Sequence, residues 1–335
     1  MKQLLKLSAA SLLVVGALSV QASTLSDVQA KGHLSCGVSK GLAGFSSADS
    51  SGTWTGIDVD VCRAVAAATL GDATKVKFVP LTAKERFTAL QSGEIDMLSR
   101  NTTWTITRDA SLGLNFAGVN YYDGQGFMVM KSLGVSDAME MSGASVCIQA
   151  GTTTELNLAD WAGANGIEYD SVVVETSAQS LDGFLAGRCD VLTSDVSQLA
   201  SLRAAMDDPD AAVILGNVIS KEPLGPVVRQ GDDEWFNIVK WTLIAMIQAE
   251  ESGVTSMNID TVTNNPTVER LAGRESQTHE YLHLSPSWSY DIIKQVGNYG
   301  ESFERNIGVN TPIGLSRGPN QLWTKGGILY APAFR

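Results

Sequence analysis

The chain has 335 residues, 36 acidic against 24 basic, and a formal net charge of −12, which becomes −14 once Lys2 and Lys6 are set aside. A chain this acidic is a poor partner for nucleic acid or for an anionic membrane surface. Its length allows two domains, or one large one, with ample core, and it carries no low-complexity tract or charge block.

The N-terminus opens on a short basic stretch, Met1-Lys-Gln-Leu-Leu-Lys6. Leu7 to Val20 is apolar, and Val20-Gln-Ala22 offers small side chains for cleavage. This reads as a secretory signal peptide over 1–22, with the mature chain starting near Ser23. The competing reading is a membrane anchor, for which the apolar stretch is too short. No cysteine stands at the cleavage point, which argues against a lipoprotein, and no later segment approaches a transmembrane length. An exported, soluble product is expected.

The mature chain alternates strand-like and helical patterns. His33-Leu-Ser-Cys-Gly-Val38 is an apolar strand-like run. A helix is predicted from about Asp58, with Val61, Cys62, Val65, Ala66 and Thr69 on one face and Gly71 as its stop. A second runs from Ala83 to Ser92 with Ala83, Phe87 and Leu90 inward, and Gly93-Glu-Ile-Asp96-Met-Leu98 then gives a Gly stop and a short strand. Beyond it, Ser99 to Asp109 is a polar run rich in threonine and ending in Arg108-Asp109. Hydroxyls and backbone N–H groups beside a guanidinium fork suit a small carboxylate, whereas a satisfied arginine on a solvated turn is the plainer reading.

The pattern then repeats. Ala144-Ser-Val-Cys-Ile-Gln149 is a second strand with a central cysteine, followed by helices and by Gly187-x-x-Asp190 ahead of an apolar run. Helices are predicted over Ser180 to Ala186, Asp233 to Glu250 and Ser287 to Tyr299, the last with Trp288, Ile292, Ile293 and Val296 at helical spacing. Strands alternating with helices twice over predict an α/β fold with two parallel-sheet-containing units. Phe127-Met-Val-Met130 and Ile214-Leu-Gly-Asn-Val-Ile219 are read as the two crossovers between lobes, or else as core strands of one sheet.

Thr103-x-Thr-x-x-Arg108, a few residues after Gly-x-x-Asp-hydrophobic, resembles the carboxylate-binding segment of polar amino-acid receptors from bacterial ABC importers. Gly56-Ile-Asp-Val-Asp60, Gln149-Ala-Gly-Thr-Thr153 and Gly187-Arg-Cys-Asp-Val-Leu-Thr-Ser-Asp195 are similar to further stretches of that family, in the same order. The resemblance runs from about His33 to the C-terminus and points to the general L-amino-acid-binding subfamily. It implies a bilobed periplasmic-binding-protein fold with a two-strand hinge. Lobe 1 would comprise 23–130 plus 216–335 with a C-terminal extension, and lobe 2 would comprise 131–215. It also implies a monomeric periplasmic receptor, without catalysis, cofactor or metal, that hands L-amino acids of broad range to an inner-membrane ABC permease.

The site residues implied by the resemblance follow the zwitterion. Arg108 takes the α-carboxylate, with Thr103 beside it and Thr152 and Thr153 facing it from the second lobe at a helix N-terminus. Asp195 takes the ammonium, helped by the main-chain carbonyl of Asn101, although Asp195 could instead cap a helix starting near Ser197. The loop Ser39-Lys-Gly-Leu-Ala-Gly-Phe45 departs from many relatives, which carry an acid near Ser39 and an aromatic near Leu42. Phe45 and Trp104 remain as candidate walls, and a pocket reading mainly the shared α-groups would admit many side chains.

Four cysteines allow three pairings, and export makes bridges plausible. Cys36–Cys62 and Cys147–Cys189 each stay within one unit, whereas any other pairing would tie together lobes that must move. Free buried thiols are the alternative, and no close cysteine pair suggests a metal.

One motif points elsewhere. His279-Glu-Tyr-Leu-His283 matches H-E-x-x-H, which on a helix would supply two zinc ligands and a general base, with Glu301 or Glu304 as a tempting third ligand. A secreted zinc metallopeptidase using His279, Glu280 and His283 is therefore the alternative function. Against it, Pro286 follows almost at once and leaves little helix.

Overall fold

The computed structural model describes residues 23–263, 265–274 and 277–335. The expected signal peptide lies outside the described residues. No helix among them is long and apolar enough to cross a membrane.

Two five-stranded sheets organise the chain, and they share one plan. In the first, the strand order is Val76–Leu81, Leu34–Ser39, Met97–Leu98, Val227–Arg229, Leu114–Phe116. The first three run parallel and the last two join antiparallel. In the second, the order is Tyr169–Val174, Ala144–Gln149, Val191–Asp195, Gln125–Met130, Ala212–Ile214, again with three parallel strands followed by antiparallel pairings. The fourth strand of each sheet comes from the chain just after it passes one of the short strands Tyr121–Asp123 and Glu222–Leu224.

The expected helices form. Ile57–Leu70 ends on left-handed Gly71, and its N-terminal Gly56 sits at φ 133, where a Cβ would meet the Phe45 carbonyl oxygen at 2.0 Å. Asp233–Glu251 is the long helix of lobe 1. The second predicted helix is shorter, Arg86–Gln91, although Ala83 and Leu90 are buried as expected. The predicted helix over Ser287 to Tyr299 is two, Trp288–Gln295 and Tyr299–Asn306. Gly297 at φ 96 turns the chain between them, and Asn298 caps the second through a capping box. Trp288, Ile292, Ile293 and Val296 are buried.

The crossings between lobes fall elsewhere than at Phe127–Met130 and Ile214–Ile219. Phe127–Met130 and Ile214 belong to strands of the second sheet. The crossings are instead the short antiparallel ribbon Tyr121–Asp123 with Glu222–Leu224. Alternation along Gln125–Met130 explains why: Phe127 and Val129 enter one apolar cluster of lobe 2, and Met128 the other, so both faces of this strand are covered.

Both bridges form as paired above, Cys36–Cys62 and Cys147–Cys189, and no free cysteine remains. The segment after 253 packs on lobe 1. Asp60 accepts bonds from Ser302, Arg305 and Asn306 of its last helix, and Asn320 makes a two-way pair with the Tyr122 backbone at 2.7 and 3.0 Å.

Candidate binding site between the lobes

The polar run after Met97–Leu98 is held by one buried acid. Asp58 accepts from the Asn101 backbone N–H at 2.7 Å, from Asn120 Nδ2 at 2.9 Å and from Ser99 Oγ at 3.1 Å. Burial pushes its carboxyl pKa up, and these donors oppose the shift. Asn101 sits at φ 30, a backbone region in which asparagine is tolerated. Its Nδ2 reaches across to Gln198 Oε1 at 3.2 Å. Thr105 caps the short helix Ile106–Ser111 that carries Arg108.

Arg108 is buried, and its Nη1 donates to the Thr103 carbonyl at 2.9 Å. No carboxylate pairs directly with its fork among the described residues. Burial lowers its pKa, while the nearby carboxylates Glu222 and Asp195 raise it. Asp195 ends the third strand of the second sheet and is 6% exposed. Its side chain makes no capping bond to the following helix Val196–Ala204; Asp123 accepts from Ser197 there instead. Burial holds the Asp195 carboxyl well above the usual range, reinforced by Asp123 and Glu222 and opposed by Arg108 and Arg86. Asp123 is likewise pushed up by burial, to about 6.

The remaining expected residues divide. Thr103 and Thr153 meet across the cleft with their hydroxyl oxygens 3.3 Å apart, and both donate to Glu222 Oε2, at 2.6 and 2.9 Å. Each hydroxyl has a single proton, so toward the cleft each presents a lone pair. Thr152 Oγ1 donates to the Gln149 carbonyl at 2.7 Å and flanks the start of helix Thr153–Asn165. Ser39 ends the first strand, buried, with its N–H on Ser46 Oγ. Phe45 is 1% exposed and meets Tyr121 edge-on at 5.5 Å within the main core. Trp104 is 40% exposed, stacks on Phe116 at 5.5 Å and lines a cavity of about 850 Å³ beside the hinge ribbon and the C-terminal extension.

Two site residues escape sequence reading. Arg86 is buried, its Nη2 lies 3.4 Å from the Gly151 carbonyl of lobe 2, and its Nε has no hydrogen-bond partner. Burial lowers its pKa strongly, and Arg108 adds to the shift. In the sequence it looks like an ordinary helix-start arginine. Glu222 lies in an unremarkable Lys-Glu-Pro segment, and only the fold brings it to Thr103.

The H-E-x-x-H stretch does not build the geometry that its sequence suggests. The helix spans only Thr278–Leu282, and His283 follows it in the left-handed conformation at φ 52. Its Nδ1 pairs with Glu234. Without a continuous turn the two imidazoles do not share a helix face. Among the described residues no group of three or more His, Cys, Asp or Glu side chains could hold a metal.

Comparison with known proteins agrees with this architecture. The chain is 57% identical over 330 residues to the general L-amino acid-binding periplasmic protein AapJ of Rhizobium johnstonii, covering 97% of each chain. It is 54% identical over 326 residues to the glutamate/glutamine/aspartate/asparagine-binding protein BztA of Rhodobacter capsulatus, covering 96% of each. A solved periplasmic binding protein from Brucella ovis with glutathione bound superposes with a TM-score of 0.91 at 55% identity, covering 94% of this chain and all of that one. Residues 34–253 match the bacterial extracellular solute-binding proteins, family 3, and the chain belongs to that family.

Proposed function

We propose that this protein is a periplasmic receptor that binds free L-amino acids as zwitterions between its lobes and delivers them to an inner-membrane ABC permease. The observation that carries the reading is a pair of buried, opposite charges, one from each lobe. Arg108 and Asp195 have no direct ion-pair partner among the described residues, though each feels the other. A buried charge without a partner is costly, and an α-carboxylate and an α-ammonium would relieve both at once. Thr103 accepts from Arg108 through its carbonyl and meets Thr153 across the cleft, and Asn101, Thr152 and Ser39 complete the proposed set. Thr103 and Thr153 offer lone pairs that suit the ammonium, which leaves the carboxylate to the Arg108 fork and backbone N–H groups. Phe45 and Trp104 act from behind the clamp as support for its walls.

Broad selection fits this clamp, because it reads what all amino acids share. The relatives named above point the same way. Glutathione, held by the Brucella ovis protein, carries the same free α-amino and α-carboxyl groups on its glutamyl end. Arg86 adds a cation that favours acidic and amide side chains. The receptor works as a monomer without cofactor and performs no chemistry on its ligand.

Titration calorimetry against a panel of free amino acids and their Nα-acetyl derivatives tests the reading. Free amino acids should bind, and the acetylated forms should not. Near pH 5.5 Asp123, raised to about 6 beside Asp195, is partly protonated, and an arriving ammonium displaces that proton. Binding should then release protons, making the heat depend on the buffer at pH 5.5 but not at pH 8. Equal binding of acetylated and free forms, or no binding across the panel, overturns the proposal.

A further inference from the structure

Glu222 is 2% exposed and accepts four hydrogen bonds, which fills the acceptor capacity of a carboxylate. Oε2 takes the Thr103 and Thr153 hydroxyls at 2.6 and 2.9 Å, and Oε1 takes Asn157 Nδ2 and Ser220 Oγ at 2.6 Å each. These donors come from three places. Thr103 belongs to lobe 1, Ser220 to the returning crossover, and Thr153 and Asn157 to the first turns of the lobe 2 helix Thr153–Asn165.

The lobe 1 side of this cluster is fixed by backbone. Thr103 bridges Leu224, Trp104 N–H donates to the Pro223 carbonyl at 2.8 Å, and Gly225 N–H donates to the Thr102 carbonyl at 3.0 Å. Glu222 therefore travels with lobe 1, and the bonds that a hinge rotation would break are those to Thr153 and Asn157. Bonds to an ionised acceptor are roughly twice as strong as neutral ones, and more so away from water. Apart from the Ser197 bonds to the Asp123 carboxylate within the hinge ribbon, other contacts across the cleft are weaker in kind. Lys84–Glu175 is an exposed pair, Arg86 to Gly151 is long at 3.4 Å, and Asn101–Gln198 is neutral.

We infer that Glu222 is the latch of the closed form, a positioning residue that captures two lobe 2 donors on closure and sets how long a ligand stays bound. It touches the ligand only through Thr103 and Thr153, whose hydroxyl protons it holds. The inference rests on the amino-acid receptor reading for its consequence on lifetime, but not for its effect on lobe closure.

The test uses the full mature protein with cysteines introduced at exposed Glu94 in lobe 1 and Asp182 in lobe 2 for a fluorescent donor–acceptor pair. The natural cysteines are all in disulfides and leave labelling specific. Ligand-free Glu222→Ala and Asn157→Ala should each shift the inter-lobe distance distribution toward longer values. With L-glutamine as probe, Glu222→Ala should raise the dissociation rate tenfold or more and change the association rate less than threefold. Glu222→Gln, which keeps shape but not charge, should fall between wild type and Ala, and it guards against a folding defect in the alanine variant. Unchanged distances with a dissociation rate within twofold of wild type would overturn the latch. So would equal slowing of association and rise of dissociation at unchanged distance, which marks Glu222 as part of the pocket wall. If no amino acid binds even the wild type, the receptor reading fails, while the ligand-free distances still decide the latch.

Discussion

The two lobes repeat one scaffold so closely that a single polar bracket recurs in both. In lobe 1, Asp96 N–H donates to the Ser35 carbonyl at 2.8 Å, while its carboxylate accepts from the Ser35 N–H at 2.7 Å. In lobe 2, Asp190 N–H donates to the Ser145 carbonyl at 2.8 Å, and its carboxylate accepts from the Ser145 N–H at 2.9 Å. Each bracket pins the start of the third strand to the first. What the lobes present at the far end of that strand is opposite. Lobe 1 continues into the run that delivers Arg108, whereas lobe 2 ends on Asp195. A common α/β frame thus carries complementary charges at the C-terminal ends of equivalent strands, where such sheets place ligands. The chemistry of the cleft is a property of grafted residues rather than of the frame.

The largest effect is expected where the lobes differ most. Arg108→Ala should weaken binding by about 2–5 kcal/mol, because it leaves the ligand carboxylate partly unpaired in a poorly solvated cleft. The loss should be similar for neutral, acidic and amide ligands, since all share that carboxylate. Asp195→Ala should act alike through the ammonium, whereas Arg86→Ala should weaken ligands unequally. A calorimetric matrix of these three variants against several amino acids checks this. If Arg108→Ala abolishes one ligand and spares the rest, Arg108 reads a side chain and the charge complementarity of the lobes is not the basis of recognition.

The bridges come next. They are not duplicates: Cys36 pairs in register with Met97, whereas Cys147 pairs with Leu192, one position further along. Cys36–Cys62 ties strand to helix across 26 residues, and Cys147–Cys189 ties strand to the turn before the third strand across 42. Loop-closure entropy makes each worth on the order of 3–4 kcal/mol. The core of lobe 1 extends through the long helix and the C-terminal extension, while lobe 2 has two small clusters flanking one sheet. Double Cys→Ser removal in lobe 2 should therefore produce a separate early transition in calorimetry. Removal in lobe 1 should lower the main transition. One shared transition in both variants would show that the lobes unfold as a single unit, and ligand-induced closure should survive in each.

The same contrast explains what was legible beforehand. Periodicity and glycine stops located Ile57–Leu70, the long helix and both cysteine-bearing strands, because each is a local pattern with a local physical cause. Phe127–Met130 and Ile214 prove to be strands of one sheet, the second of two readings that stayed open because an apolar run of strand length reads alike whether it lies in a hinge or inside a doubly covered sheet. The acids of Gly56-Ile-Asp-Val-Asp60 show the other limit. Asp58 braces the polar run after Leu98 and Asp60 anchors a helix 242 or more residues away, and no short-range pattern marks such partners. Glu222 was hidden for that reason, as Thr103 is 119 residues from it.

The bracket itself gives the smallest and sharpest comparison. Asp96 is buried and also pairs with Lys31, so Asp96→Asn exchanges an acceptor for a donor where water cannot compensate. A loss of about 1.5–3 kcal/mol is expected in urea unfolding of the purified protein. Asp190 is exposed, its donors Ser145 N–H and Oγ can turn to water, and Asp190→Asn should cost less than about 1 kcal/mol. The Ser145 hydroxyl and N–H hold the Asp190 carboxyl below the usual range. A carboxyl whose pKa is lowered by folding stabilises the native state above its unfolded value, and the contribution fades as pH falls through the folded one. The gap between wild type and Asp190→Asn should therefore be constant from pH 6 to 8 and close in acid below the usual carboxylate range. A larger loss at Asp190 than at Asp96, or a gap that widens in acid, would mean that the two brackets share their geometry but not the physical role assigned to each.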